Sequence, residues 1–339
     1  LACELRIDIL QQSERLDQVP LSGDVGVDTG LNLRGVHGHH LPSTRAGQHL
    51  ARGVVQHKNG AVFHMACLQL AQLLLQGLAL SCAGAAPALA AQAIQASESD
   101  GRRALKPRPL VFPADHGSHN ESRTEWWYLT GWLRDEAQRL YGFQVTFFRS
   151  RVDPAQGLRS RLAARQLLFA HAALTDVAAQ AHWHDQALVR WNGEPAELPE
   201  QAHAAATDTD VRLRGWSLQR QSGTGAYRTQ VRARDFALTL EATPTQALLL
   251  QGDRGWSRKG PQPEQASHYY SQPQLRVSGQ LQRSGRSLPV QGLAWLDHEW
   301  SEALLHPEAV GWDWIGMNLD DGASLTAFQL RRADGSALW

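Results

Sequence analysis

From Phe112 onward, apolar and polar residues alternate with period two in short runs. In YGFQVTFFR, Tyr141, Phe143, Val145 and Phe147 share one face, and Gly142, Gln144 and Thr146 take the other. QLRVSGQLQ sets Leu275, Val277 and Leu281 against Arg276, Ser278 and Gln280, and FALTLEA aligns Phe236, Leu238 and Leu240. VRLRG and YRTQVRAR repeat the pattern with Arg outward. Successive side chains of a strand point to opposite faces, so each run predicts a half-buried strand. Turn clusters such as Gly252-Asp253-Arg254-Gly255 and Asp320-Asp321-Gly322 separate the runs. Only residues 195–206 read as briefly helical. The prediction is an all-β protein, a barrel or a sandwich, and a barrel of about eight strands can hold one small ligand.

The first ninety residues differ. Met65 opens a stretch in which Leu68, Leu70, Leu73, Leu74, Leu75, Leu78 and Leu80 form an apolar run, followed by Ala88-Leu89-Ala90. This reads as a secretory signal over 65–91, cleaved after the small-x-small triplet. Gln69, Gln72 and Gln76 interrupt the run and weigh against a transmembrane helix. A lipid anchor at Cys82 is the lesser alternative, because Ala79-Leu80-Ser81 fits a lipobox poorly. Residues 1–64, including His37, His39 and His40, show no sustained periodicity and read as untranslated sequence or a disordered leader. Residues 92–106 read as a linker. The expected location is therefore periplasmic or outer-membrane-associated, with membrane contact only through the signal or a lipid on Cys82.

Lys+Arg and Asp+Glu are equal at 33 each, and charged residues are 19%. That balance argues against a nucleic-acid partner, which needs a basic patch. Cys3, Cys67 and Cys82 all precede the globular part. A disulfide framework, a catalytic thiol and a Cys-bound metal are thereby excluded after Ala83. The 12 Trp suggest an aromatic-lined interior, and the expected partner is an apolar small molecule. No Gly-x-Ser-x-Gly elbow or phosphate-binding glycine loop occurs.

Three motifs carry the candidate chemistry. In FPADHGSHNESRTEWWYLTGWL, a strand from Glu125 puts Trp126, Tyr128, Thr130 and Trp132 on one face and Trp127 and Leu129 on the other, with Asp115, His116, His119 and Arg123 in the preceding loop. His116 and His119 invite a metal reading. Without a third ligand nearby in sequence, hydrogen-bonding loop residues are favoured, so neither a metal nor a cofactor is expected. In SHYYSQPQLRVSG, His268 and Tyr270 share one face and Tyr269 and Ser271 the other. In GLAWLDHEWS, Trp295, Asp297 and Glu299 share a face opposite Leu296, His298 and Trp300. A carboxyl flanked by Trp in a strand is costly to ionise, which makes Asp297 a candidate general acid. The equal alternative is that Asp297 and Glu299 pair with nearby Arg or His, or simply face solvent.

These motifs, with GFQVTFFR and the closing GWDWIGMNL and ASLTAFQLRR, resemble the carotenoid 1,2-hydratase family and its AttH-like relatives from about Phe112 to Trp339. The resemblance implies tandem lipocalin-like (calycin-type) β-barrel domains: a first at 107–285 and a second, incomplete one at 286–339, the chain looking truncated. It implies addition of water across a terminal C=C bond of a long isoprenoid. Asp297 falls at the family's acid position, and His268, Tyr270 and Trp295 complete the implied catalytic group. The aromatic types at Tyr270 and Trp295 are exchanged relative to the hydratases. Trp126, Tyr128, Trp132, Phe143, Phe147, Trp312 and Trp314 are the expected ligand-cavity residues. The export signal fits a secreted branch of the family, described as hydrolases or lipocalin-like proteins. A non-catalytic periplasmic carrier is the main alternative and a secreted hydrolase the weaker one.

Overall fold

The structure is a computed structural model that describes residues 51–57 and 105–339, apart from 197, 199–200 and 303–305. The segment 65–91 expected to be a signal, Cys82 and most of residues 1–64 lie outside the described residues. Among the described residues the strands are β1 (Ala51–His57), β2 (Thr124–Asp135), β3 (Leu140–Arg151), β4 (Gln166–Asp176), β5 (Ala181–Trp191), β6 (His203–Ala204), β7 (Asp210–Leu213), β8 (Trp216–Arg220), β9 (Tyr227–Arg232), β10 (Phe236–Pro244), β11 (Leu249–Leu250), β12 (Trp256–Arg258), β13 (Ala266–Arg283), β14 (Arg286–Ser301), β15 (Gly311–Leu319) and β16 (Ser324–Arg331). The remaining regular elements are two short 3₁₀ turns, Ala114–His116 and Asp153–Ala155. No helix among these residues is long and apolar enough to cross a membrane.

The predicted alternation is realised as one large antiparallel sheet in the order β5-β4-β3-β2-β14-β13-β10-β9-β8-β7-β6, with β11 and β12 also pairing with β13. The sheet curls until β4 and β5 approach β7, giving a nearly closed, lipocalin-like barrel. Its interior is filled by the apolar face of each strand. Trp127, Leu129 and Leu133 of β2 meet Phe143, Val145 and Phe147 of β3, Leu168 and Leu174 of β4, and Leu238 and Leu240 of β10. Each such side chain contributes about 1.5–3 kcal/mol on burial. Residues 105–123 run as a strap over the barrel, with Leu105, Leu110 and Phe112 packed on this core. The His116 carbonyl accepts from Trp127 Nε1 (3.3 Å) and Thr209 Oγ (2.9 Å), and Ser118 N–H donates to the Ala205 carbonyl (2.7 Å).

One expectation changes here, and two features of the pairing bear on the domain layout. Residues 195–206 contain no helix among those described, and His203–Ala204 instead adds a short strand beside β7. Thr209 and the strap residue Ser118 anchor this stretch, and those tertiary bonds outweigh weak local propensity. The boundary expected between 285 and 286 falls inside the β13–β14 hairpin. β14 pairs with both β13 and β2, so it is a central strand of the barrel. Finally, Ala51–His57, within the presumed leader, pairs with the edge of β15 and builds a three-stranded sheet, β1-β15-β16. An edge strand offers unpaired N–H and C=O groups that a further strand can satisfy.

β15 lies against the outer face of β13 and β14. Trp314 Nε1 donates to the Tyr269 hydroxyl (3.1 Å), and Asn318 Nδ2 donates to the Ala294 carbonyl (3.0 Å). The ladder under it has a β-bulge, where the register shifts between Gln272 and Leu275 and places Pro273 and Gln274 against Trp295. Gln274 takes a positive φ of 51° there, and its N–H donates to Asn318 Oδ1 (2.8 Å). Beside the bulge, β2 and β14 approach closely. A Cβ on Gly292 would stand 1.8 Å from the Trp132 carbonyl oxygen, and one on Gly131 would stand 2.2 Å from that of Leu293. Gly292→Ala therefore forces these strands apart, and urea unfolding is expected to show a loss of about 1–3 kcal/mol.

Candidate active site

The β13–β14–β2 ladder carries polar chemistry on both faces. On the outer face, register puts Ser271 opposite Asp297, and Asp297 opposite Tyr128. Asp297 is 4% exposed. Its Oδ1 accepts from Ser271 Oγ (2.5 Å) and from Trp295 Nε1 (2.7 Å). Tyr128, Trp295 and Trp314 form a separate buried aromatic cluster here, joined by Trp126, Trp312, Phe328 and Leu249. Burial pushes the Asp297 carboxyl up to about 6, and the donors Ser271 and Trp295 offset only part of that penalty. One strand step away, Glu299 Oε1 accepts from Ser267 Oγ (2.5 Å) and lies 3.0 Å from Lys259 Nζ. Burial raises the phenol of Tyr269 well above its ordinary value, and the nearby Asp297 and Glu299 add to this.

On the inner face lies an ion network tied to the strap. Glu125, fully buried, pairs through Oε2 with Arg149 Nε (2.8 Å) and through Oε1 with His119 Nδ1 (2.7 Å) and His298 Nε2 (2.9 Å). His119 Nε2 reaches Asp115 Oδ1 (2.9 Å), and Asp115 pairs with Arg108 (2.5 Å). The Tyr270 hydroxyl bridges His116 Nδ1 (2.7 Å) and His298 Nδ1 (3.1 Å). Burial opposes ionisation of Glu125, but the Arg149 guanidinium and His119 hold its carboxyl well below the usual range. Burial also lowers the His119 imidazole, yet the flanking Glu125 and Asp115 carboxylates outweigh it and raise it overall. His116 is driven down to about 3, chiefly by burial and secondarily by Arg220.

His119 Nδ1, Glu125 Oε1 and His298 Nε2 lie within 4.8 Å of one another, a set of atom types that could hold a metal. The charges decide against that use. Both carboxylates already face a guanidinium, so a divalent ion would add two uncompensated charges to a buried site. His116 of the His-x-x-His pair turns away, to Tyr270. The cluster is a hydrogen-bonded ion network holding the strap to the barrel.

The pleat separates the residues that the motifs suggested as one catalytic group. Asp297 and Trp295 share the outer face, whereas Tyr270 belongs to the inner core. His268 is on the inner side too, with its ring between Trp256 (centroids 5.0 Å) and Trp300 (5.3 Å). It is 1% exposed, neither ring nitrogen has a hydrogen-bond partner, and burial lowers its imidazole to about 4. The suggested cavity residues divide in the same way. Trp126, Tyr128, Trp312 and Trp314 gather near Asp297, and Phe143 and Phe147 fill the barrel core. Trp132 stands farther along the outer face, with the Arg134 guanidinium 5.8 Å from its ring. Ser271, Tyr269, Ser267 and Lys259 are site neighbours that the motifs did not single out, because cross-strand register is invisible in one strand's sequence.

A curled antiparallel sheet with a strap over its core defines a lipocalin-like protein. The chain belongs to the AttH-like family, whose profile matches residues 103–339. It is similar to a crystal structure assigned to AttH from Nitrosomonas europaea, with 47% identity and a TM-score of 0.62 over 70% of this chain and 69% of that one. Kievitone hydratase from Nectria haematococca aligns at 10% identity and TM-score 0.46, over 68% of this chain and 67% of that one. CghA with Sch210972 aligns at 15% identity and TM-score 0.38, over 70% and 68%. The last two carry no argument about this chain. No curated protein matches it.

Two stability predictions follow from the contrast between the faces. Glu125→Gln leaves the Arg149 guanidinium buried without its counter-charge, and chemical unfolding at neutral pH should show a loss of about 3–5 kcal/mol. Asp297 behaves oppositely. Its folded value of about 6 lies above the ordinary 3.8, so the native state holds the proton more tightly and loses stability as pH rises from about 4 through 6. Two pH units correspond to about 3 kcal/mol. Asp297→Asn should therefore exceed wild type in stability by up to about 3 kcal/mol near pH 8, with the advantage vanishing near pH 4.

Proposed function

We propose that this protein adds water across a carbon–carbon double bond of a long apolar isoprenoid or lipid, with Asp297 as the proton donor. The observation that carries this reading is a buried carboxyl, raised to about 6, beside the rings of Trp295, Trp314 and Tyr128. Protonating a substituted alkene creates a carbocation, and aromatic faces attract positive charge. A dry carboxyl that is protonated in mild acid suits the first step. The indole N–H of Trp295 and the Ser271 hydroxyl, both donating to Oδ1, fix the rotamer of the acid. The same reading places the protein outside the cytoplasm, exported by the segment 65–91. The carrier alternative is less well supported, since side chains such as Trp127, Phe143 and Phe147 pack the barrel interior.

The test is incubation of wild type and Asp297→Asn with acyclic carotenes and shorter isoprenoids, with mass spectrometry for the gain of one water. Wild type should form the alcohol, with a rate that falls as pH rises through about 6 as the acid ionises. The Asn variant should be slower by about 10²- to 10⁴-fold. Equal product from both proteins would refute Asp297 as the acid, and no alcohol from wild type would refute hydration.

A further inference from the structure

We propose that Glu299 is the general base of the hydration, taking a proton from the attacking water while Asp297 supplies one to the alkene. This rests on the reading above and adds a residue to it. Hydration needs an acceptor for the water's proton, and the catalytic group implied by the resemblance includes His268. His268 stacks among Trp256 and Trp300 on the inner side of the sheet, away from Asp297. The outer face offers a different group. Glu299 is 6% exposed and two residues from Asp297 on the same strand face, about 7 Å along the strand. In two-carboxyl hydrolytic sites a separation of about 6.5–9.5 Å between the groups is the one that accommodates a water.

The two carboxyls have different neighbours. Asp297 has neutral donors, Ser271, Trp295 and Tyr269, and aromatic walls. Glu299 lies 3.0 Å from the Lys259 ammonium and accepts from the Ser267 hydroxyl at 2.5 Å. Lys259 is itself fixed over the rings of Phe328 (3.9 Å) and Tyr269 (4.8 Å). A carboxyl among aromatic rings and a second one beside a cation on the same strand face offer one group to give a proton and one to accept it.

The step balances without an oxidant or reductant. The Asp297 O–H bond breaks, and the alkene π pair binds the proton at one carbon, leaving the cation on the other. A lone pair of water bonds to that carbon. The water O–H bond then breaks, and its proton passes to the Glu299 carboxylate. The product is an alcohol, and solvent exchange returns the two carboxyls to their starting states.

The experiment compares wild type, Asp297→Asn and Glu299→Gln on an acyclic carotene in D₂O. Glu299→Gln should lose alcohol formation by about 10²- to 10⁴-fold. It should still exchange deuterium into the recovered alkene, because Asp297 protonates and the cation collapses by proton loss. That exchange also shows the variant to be folded. Asp297→Asn should lose both activities. Alcohol formation by Glu299→Gln within about threefold of wild type would overturn the base assignment and leave the acid intact. Absence of alcohol from wild type would instead strike the hydration reading. Infrared spectra at about pH 5 then judge the pair: a protonated-carboxyl stretch lost in Asp297→Asn and kept in Glu299→Gln supports the assignment, and the reverse overturns it.

Discussion

The antiparallel ladder of β13, β14 and β2 is the constraint on which the chemistry depends. A strand sends successive side chains to opposite faces, so Leu296, His298 and Trp300 enter the barrel while Trp295, Asp297 and Glu299 face the β15 side. A slip of one residue would exchange these sets and bury the wrong one. The packed core on one side, and the contacts of Trp314 and Asn318 on the other, hold the register. The bulge at Pro273-Gln274 then lets the ladder bend beside Trp295 without losing the pairing on either side.

The two faces treat buried carboxyls in opposite ways. Glu125 is surrounded by Arg149, His119 and His298, so its charge is stabilised and the network ties strap, β2, β3 and β14 together. Asp297 has only neutral donors, Ser271, Trp295 and Tyr269, and its charge is disfavoured. In the first arrangement the charges are mutually compensated, and removing one partner leaves a stranded charge. The second costs stability near neutral pH, a cost expected where a group is kept for chemistry rather than for packing.

Much of this was legible in the chain. The period-two runs predicted the strands, and the parity within SHYYS and WLDHEW correctly assigned each residue to one of two faces. What parity does not tell is which face of one strand joins which face of the next. Parity within each motif does not relate His268 to Asp297, and only the pairing of Ser271 with Asp297 shows that they look in opposite directions. The short helix read at 195–206 failed for a related reason, because the bonds that fix that stretch come from distant residues.

The sequence by itself determined the all-β architecture, the family motifs and the candidate acid, because alternation and local composition are properties of a single strand. The tertiary structure alone decided that β14 is a central barrel strand, that Phe143 and Phe147 are core, and that Asp297 keeps company with Ser271, Tyr269 and Trp314. Those facts depend on register and on residues far apart in the chain. They arise only when backbone pairing and burial are satisfied together.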